Sequence, residues 1–154
     1  MLIRAARAED AAAACNVLRR SIAELCHADH GGDPAILEKW LANKTPEFVA
    51  GWIARTDGQV FVAVETDAVV GVAMVTDHGE ILLNYVSPDA RFRGVSKALL
   101  ARLEATARTL GNLECTLTST VTAHRFYLAA GYLDRGAPPL GIGFGTMVKR
   151  LVSD

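Results

Sequence analysis

A mixed α/β fold is the class this sequence predicts, and three observations carry it. Two β-rich apolar runs, VFVAVE (60–65) and VVGVAMV (69–75), sit a hairpin's length apart. From Val95 to Leu110 apolar residues return at helical spacing, the longest such stripe in the second half of the chain. After it come a strand run, a short helical run and a terminal strand run, so hairpins on one side of a sheet meet a β-α-β-α passage on the other. With 154 residues, 51% of them hydrophobic and 21% charged, the chain is expected to form a single domain over 1–154 with its own core.

Taken in order, Leu2 to Ala5 reads as a short edge strand. A helix over Ala8 to Leu25 follows, with Ala11, Ala14, Val17 or Leu18, Ile22 and Leu25 along one face. Asp33-Pro34 and Thr45-Pro46 each set a capping side chain before a proline suited to the first helical position, so two short helices start there; the first carries Leu37, Trp40 and Leu41. Asp57-Gly58 is a turn signal before the hairpin, whose strands join through Thr66-Asp67-Ala68. Glu80 to Val86 is a third strand, ended by Ser87-Pro88-Asp89. The helix from Val95 carries Leu99, Leu103, Thr106 or Ala107 and Leu110, with Gly111 as its C-terminal glycine. A strand at 113–118, a short helix at 122–131 ending on Gly131, and a terminal strand within Gly143 to Leu151 complete the series.

Sixteen basic and seventeen acidic residues leave a formal charge of −1, which excludes the global basic field of a nonspecific nucleic-acid binder. The first fifteen residues include acids and lack a signal-type apolar core, and nowhere do about 18 apolar residues run together, so a cytoplasmic protein without membrane partners is expected. Cys15, Cys26 and Cys115 are widely spaced and form no C-x-x-C pair, as suits reduced thiols packed as small hydrophobes. CHADH (26–30) raises the question of a metal, but a site needs three or four converging ligands that this spacing does not deliver, and no metal is expected.

RFRGVSKALL (91–100) puts two arginines and a glycine before a helix. Helix-start N–H groups lack intrahelical partners, and Gly94 has no Cβ to keep a phosphate away. Arg91 and Arg93 add charge to the amides of Arg93 to Lys97, which reads as an anion cradle; a solvated loop at a helix entry is the plain alternative.

The cradle has a context. A strand, Ser87-Pro88, R-x-x-G-x-S at 91–96, a long helix, a strand, then A-x-x-F-Y-x-x-x-G at 123–131 resembles the GNAT superfamily of acetyl-CoA-dependent N-acetyltransferases, whose Q/R-x-x-G-x-G/A signature holds the CoA pyrophosphate. The resemblance implies a mixed, mostly antiparallel central sheet of six to seven strands flanked by helices on both faces. It implies a pyrophosphate cradle of Arg91, Phe92, Arg93, Gly94, Val95, Ser96 and Lys97, main-chain groups of Tyr85 and Val86 at a splayed strand, and acetyl-CoA as cosubstrate. Two positions depart from the pattern: Ser96 replaces the last Gly or Ala, and Thr120 stands where many members carry an Asn that reaches the pantetheine arm.

Tyr127 matches the tyrosine that family members hold near the CoA sulfur, where a phenol can protonate the leaving thiolate; its alternative, with Phe126, is a core aromatic. In the histone-acetylating branch a glutamate stands eleven residues before the first position of the motif, and here that place is Glu80, a candidate base that strand alternation sets on one face with Asn84. The segment after the first helix lines the acceptor pocket in such folds, which makes His27, Asp29, His30 and Trp40, together with Asn84, the expected acceptor contacts. His124 reads as a helix-surface residue, and GIGFG (141–145) as turns rather than a dinucleotide loop.

The implied activity is acetyl transfer to a primary amine of a small molecule or peptide by direct attack in a ternary complex. Its rivals are a GNAT module that senses acyl-CoA without turnover and a nucleotide-dependent oxidoreductase. Acids and histidines near the first helices hint at a cationic acceptor. Oligomeric state stays open, a homodimer included.

Overall fold

A computed structural model of the chain describes residues 1–137 and 145–152. Its strands are β1 (Leu2–Ala5), β2 (Gly58–Glu65), β3 (Ala68–Thr76), β4 (Glu80–Val86), β5 (Glu114–Ser119), β6 (Leu133–Gly136) and β7 (Gly145–Arg150). They form one sheet in the order β1-β2-β3-β4-β5-β7-β6. Every neighbouring pair is antiparallel except β4 and β5. The helices are α1 (Ala11–Leu25), α2 (His27–His30), α3 (Pro34–Leu41), α4 (Pro46–Ile53), α5 (Val95–Thr109) and α6 (His124–Ala129).

Local chemistry accounts for most of these boundaries. Asp33 accepts the Ala35 N–H and Thr45 the Phe48 N–H, so both predicted caps form ahead of their prolines. The predicted helix from Ala8 opens instead as a 3-10 turn over Ala8–Asp10. Asp10 accepts from the Arg7 N–H and from the Arg4 guanidinium at 2.7 Å, which ties β1 to the start of α1. The Arg4 hydrogen bonds hold the Asp10 carboxyl below its ordinary range. Between β2 and β3 the turn is Thr66-Asp67, both at positive φ, the geometry that matches the twist of paired strands.

The apolar hairpin is buried on both faces, which is why it shows no polar alternation. In β3, Ala73 and Val75 join a core with Leu99 and Leu103 of α5, whereas Val72 and Met74 join a second core with Leu18 of α1 and Val49 of α4. Helices therefore flank the sheet on both sides. β6 was not expected from the sequence: Leu-Asp-Arg-Gly is exposed throughout and exists as a strand by pairing with the free edge of β7.

One irregularity overturns an expectation. The β3–β4 register steps from Met74↔Leu83 to Val75↔Ile81, leaving Leu82 as an extra residue in β4. Ile81 thus packs in the α5 core and Leu83 in the α1 core, although they are two apart. Glu80 and Asn84 consequently do not share a face. Ala73, opposite Asn84, belongs to the α5 side, while Glu80 stands out of phase with its neighbour Ile81 and faces the α1 side.

Gly71 of β3 lies under α5, and a Cβ there would come within 2.7 Å of Val95 Cγ1 and 2.8 Å of Leu99 Cδ1. Gly71→Ala is expected to overpack this contact and lower stability by about 1–3 kcal/mol, read as a lower urea midpoint with an unchanged slope.

Candidate active site

β4 and β5 pair only at Glu80↔Thr116 and Ile81↔Leu117. Past these, β4 stays with β3 as far as Val86↔Gly71, and β5 stays with β7 as far as Ser119↔Gly145. The two strands part, and a cleft of about 530 Å³ opens between them. Ser87 donates its N–H to Val70 O at 2.7 Å, so by strand alternation the main-chain groups of Val86 and Asn84 turn away from β3 toward the cleft. Those of Tyr85 turn to β3. Of the two residues expected to present backbone to the cleft, Val86 does so; Tyr85 lines it with a side chain whose phenol burial pushes above its ordinary range.

At one end of the cleft, Gly94 caps α5 in the left-handed region at φ 78, just after Phe92 at φ 63. No side chain caps this helix, and its first intrahelical bond runs from Ala98 N–H to Gly94 O. The N–H groups of Val95, Ser96 and Lys97 precede that bond and have no partner within the helix. A Cβ on Gly94 would meet nothing within 4 Å, so backbone conformation, not packing, calls for glycine. Arg91 and Lys97 line the cleft, with the Arg91 guanidinium 4.5 Å from the ring of Phe92, which is 90% exposed. Arg93 differs from the expectation: it donates to Asp89 O at 3.1 Å and pairs with Glu65 at 3.5 Å, away from the cleft lining. Open amides beside two cations suit a diphosphate.

Tyr127 lies in the wall of the cleft, only 6% exposed, edge-on to Phe126 and to Tyr132 at 5.1 and 5.5 Å. It is at once core aromatic and cleft residue. Burial pushes its phenol up to about 12, against an opposing hydrogen-bonding effect of the Asn84 amide. Asn84 also donates to Ser96 O at 3.4 Å, linking β4 to the first turn of α5. Thr120 lines the cleft too, with its hydroxyl accepting the Ala123 N–H at 3.1 Å.

Sequence reasoning missed what stands behind Tyr127. Tyr132 is fully buried and donates to Glu104 Oε2 at 2.8 Å, and Lys149 Nζ lies 3.0 Å from Glu104 Oε1. The available signal was a glutamate on the apolar stripe of α5, four residues after Leu100 and three before Ala107. Cys26 is the packed thiol its sequence setting predicts, buried and pushed up to about 12 by burial, and it also borders the cleft.

The expected acceptor contacts divide. Asn84 is in the cleft; His27, Asp29, His30 and Trp40 are not among its lining residues. His30 is 3% exposed and spends both ring nitrogens internally, one on Ile22 O at 3.0 Å and the other on the Gly32 N–H at 2.9 Å. Asp29 accepts from Val121 N, Thr122 N and Thr122 Oγ1, bracing α2 against the turn before α6. Trp40 stacks edge-on to His30, and His27 is exposed. Glu80 is exposed and lies outside the cleft lining. Residues 141–144 of GIGFG lie outside the described residues. Among the described residues no three His, Cys, Asp or Glu converge as a metal site would need, and no helix is long and apolar enough to cross a membrane.

A parallel strand pair that parts after two positions, with a left-handed glycine and open helix-start amides at the opening, is the cleft of an acetyltransferase fold. Residues 26–151 match the family model described as acetyltransferase (GNAT) domain, and the chain belongs to that family. Among solved structures it is similar to a GCN5-related N-acetyltransferase from Rhodopseudomonas palustris, at 26% identity over 97% of this chain and 95% of that one, with a TM-score of 0.87. It also resembles the PaiA N-acetyltransferase from Thermoplasma acidophilum in complex with coenzyme A, at 22% identity, 97% and 98% coverage and a TM-score of 0.82. A segment of 63 residues, 41% of the chain, is 38% identical to part of the bifunctional enzyme IspD/IspF from Campylobacter curvus, of which it spans 16%.

Replacing Gly94 with valine puts a β-branched residue at φ 78 beside the open amides of Val95 to Lys97. Gly94→Val is expected to weaken acetyl-CoA binding by more than tenfold in calorimetry while the far-ultraviolet spectrum stays native, and Arg91→Ala to weaken it less.

Proposed function

We propose that the protein transfers the acetyl group of acetyl-CoA to the nitrogen of a primary amine, by direct attack within a ternary complex. The observation that carries this reading is the parting of β4 from β5, which sets the main-chain groups of Asn84 and Val86 between an anion cradle and a buried phenol. In it, the amides of Val95 to Lys97 with Arg91 hold the pyrophosphate, and the cleft-facing N–H of Val86 receives the thioester carbonyl, where negative charge develops. Tyr127 protonates the departing thiolate.

The proton lost by the amine goes to water in this scheme. Glu80 is exposed on the α1 side of the sheet, out of the cleft lining, so the geometry supports a water relay over direct abstraction by this carboxylate. Only the protonated phenol donates, and a phenol raised to about 12 stays protonated through the neutral and moderately alkaline range. It therefore produces no alkaline loss of kcat below about pH 11.

Tyr127→Phe removes one hydroxyl from a well-packed ring. Acetyl-CoA affinity by calorimetry is expected to stay within about twofold, while transfer slows by roughly 10²–10⁴-fold. A thioester with a more acidic leaving thiol should recover part of that loss. Unchanged turnover in the variant removes Tyr127 from the reaction. Glu80→Gln is expected to leave kcat/KM unchanged at every pH from 6 to 9, in an assay of thiol release, within about twofold; a loss confined to pH values where the amine is protonated would restore Glu80 as the base.

A further inference from the structure

We infer that the acceptor is an amine uncharged at neutral pH and carried on an apolar body, with an arylamine as the type. This rests on the acetyl-transfer reading above and narrows it. Besides the cradle residues, the cleft is lined by Leu25 and Cys26 at the end of α1, Leu83 and Tyr85 of β4, and Phe126 of α6. Among the described residues that line the cleft there is no aspartate, glutamate or histidine, and its charged members, Arg91 and Lys97, are positive.

Acids on neighbouring segments are engaged elsewhere. Asp29, three residues beyond Cys26, holds Val121 N at 2.6 Å, Thr122 N at 3.1 Å and Thr122 Oγ1 at 2.6 Å. Glu24 and Asp89 both pair with Arg20, at 2.9 and 2.7 Å, and Glu65 pairs with Arg93. The hydroxyls of Tyr85 and Tyr127 do not supply negative charge either, because burial raises both phenols.

An alkylamine, with a pKa of about 10.4 for a lysine-like group, enters as a cation at pH 7. With Arg91 and Lys97 taken up by the pyrophosphate, it would leave water for apolar walls that offer no side-chain counter-charge, which is unfavourable. A weakly basic aromatic amine escapes that cost. Its N–H groups need acceptors only, and the cleft-facing carbonyls of Asn84 and Val86 and the hydroxyl of Ser21 are at hand. Its lone pair is free without prior deprotonation, which agrees with a cleft lacking a carboxylate base. The C–N bond forms as the C–S bond breaks; the nitrogen gives up one proton to water, and the thiolate takes one from Tyr127, which regains it from solvent.

Aniline and benzylamine have similar rings and opposite charge states at pH 7, and spermidine is a compact polycation. Acetylation of each at pH 7 and calorimetric binding of each to the CoA-loaded protein test the assignment. Aniline is expected to bind at least about tenfold more tightly than benzylamine and to have the higher kcat/KM, with spermidine giving neither heat nor product. Leu25→Glu, which adds a carboxylate to the half-buried wall, is expected to tighten benzylamine binding by about tenfold at unchanged acetyl-CoA affinity. The wild-type comparison stands without the variant if Leu25→Glu does not fold. Tighter binding or faster acetylation of benzylamine or spermidine than of aniline overturns the acceptor class and leaves acetyl transfer standing. If aniline is neither bound nor acetylated, the acceptor class is overturned as well. Failure to bind acetyl-CoA at all removes the acetyl-transfer reading, and this inference with it.

Discussion

The parallel pairing of β4 with β5 ends after Ile81↔Leu117, and the character of the cleft follows from that single interruption. Leu82 is one residue too many for the β3 register, and such an extra residue bends a strand and increases its local twist. From there β4 keeps to β3 and β5 keeps to β7, each satisfied on its outer side only. Backbone polar groups left without a strand partner must meet water or a ligand. An apolar cleft thus acquires main-chain donors and acceptors in its wall, without any polar side chain being required for them.

The phenol at that wall is held by a polar stack that most cores would not tolerate. Glu104 is 7% exposed, and a carboxylate so placed is tolerable only if paired and hydrogen-bonded. Tyr132 and Lys149 provide both, from the segment after α6 and from β7. Tyr127 packs on Tyr132, and Asn84 reaches from β4 to the first turn of α5. Helix, strand and cleft wall are therefore fixed relative to one another by a few directional contacts as well as by apolar packing.

The α1 end shows how polar residues near a functional cleft can be consumed by the architecture. The chain turns sharply at Gly31, φ 60, after the single turn of α2, and such a bend leaves backbone groups to be satisfied. His30 answers the Ile22 carbonyl and the Gly32 N–H, while Asp29 answers two N–H groups of the turn that leads to α6. In sequence these residues look like recognition elements; in the fold they keep α2 and the 121–122 turn in place. What remains facing the cleft from this end is Ser21, Leu25 and Cys26.

Short-range physics was legible in the chain itself. The caps at Asp33 and Thr45, the two-faced apolar hairpin, the stripe of α5 and the glycine at its N-terminus depend on neighbours within a few residues, and so do the cradle and the family resemblance that the motif carries. Tertiary structure decided the rest. Counting by two from Glu80 placed it with Asn84, because alternation cannot register an extra residue that only the partner strand reveals. β6 has no apolar pattern and forms because β7 offers an unpaired edge, and Arg93 leaves the cradle because Glu65, at the end of β2, lies beside it. Propensity and spacing are properties of a segment, whereas register, the parting of strands and the choice of ionic partner are set between segments that meet only in the folded chain.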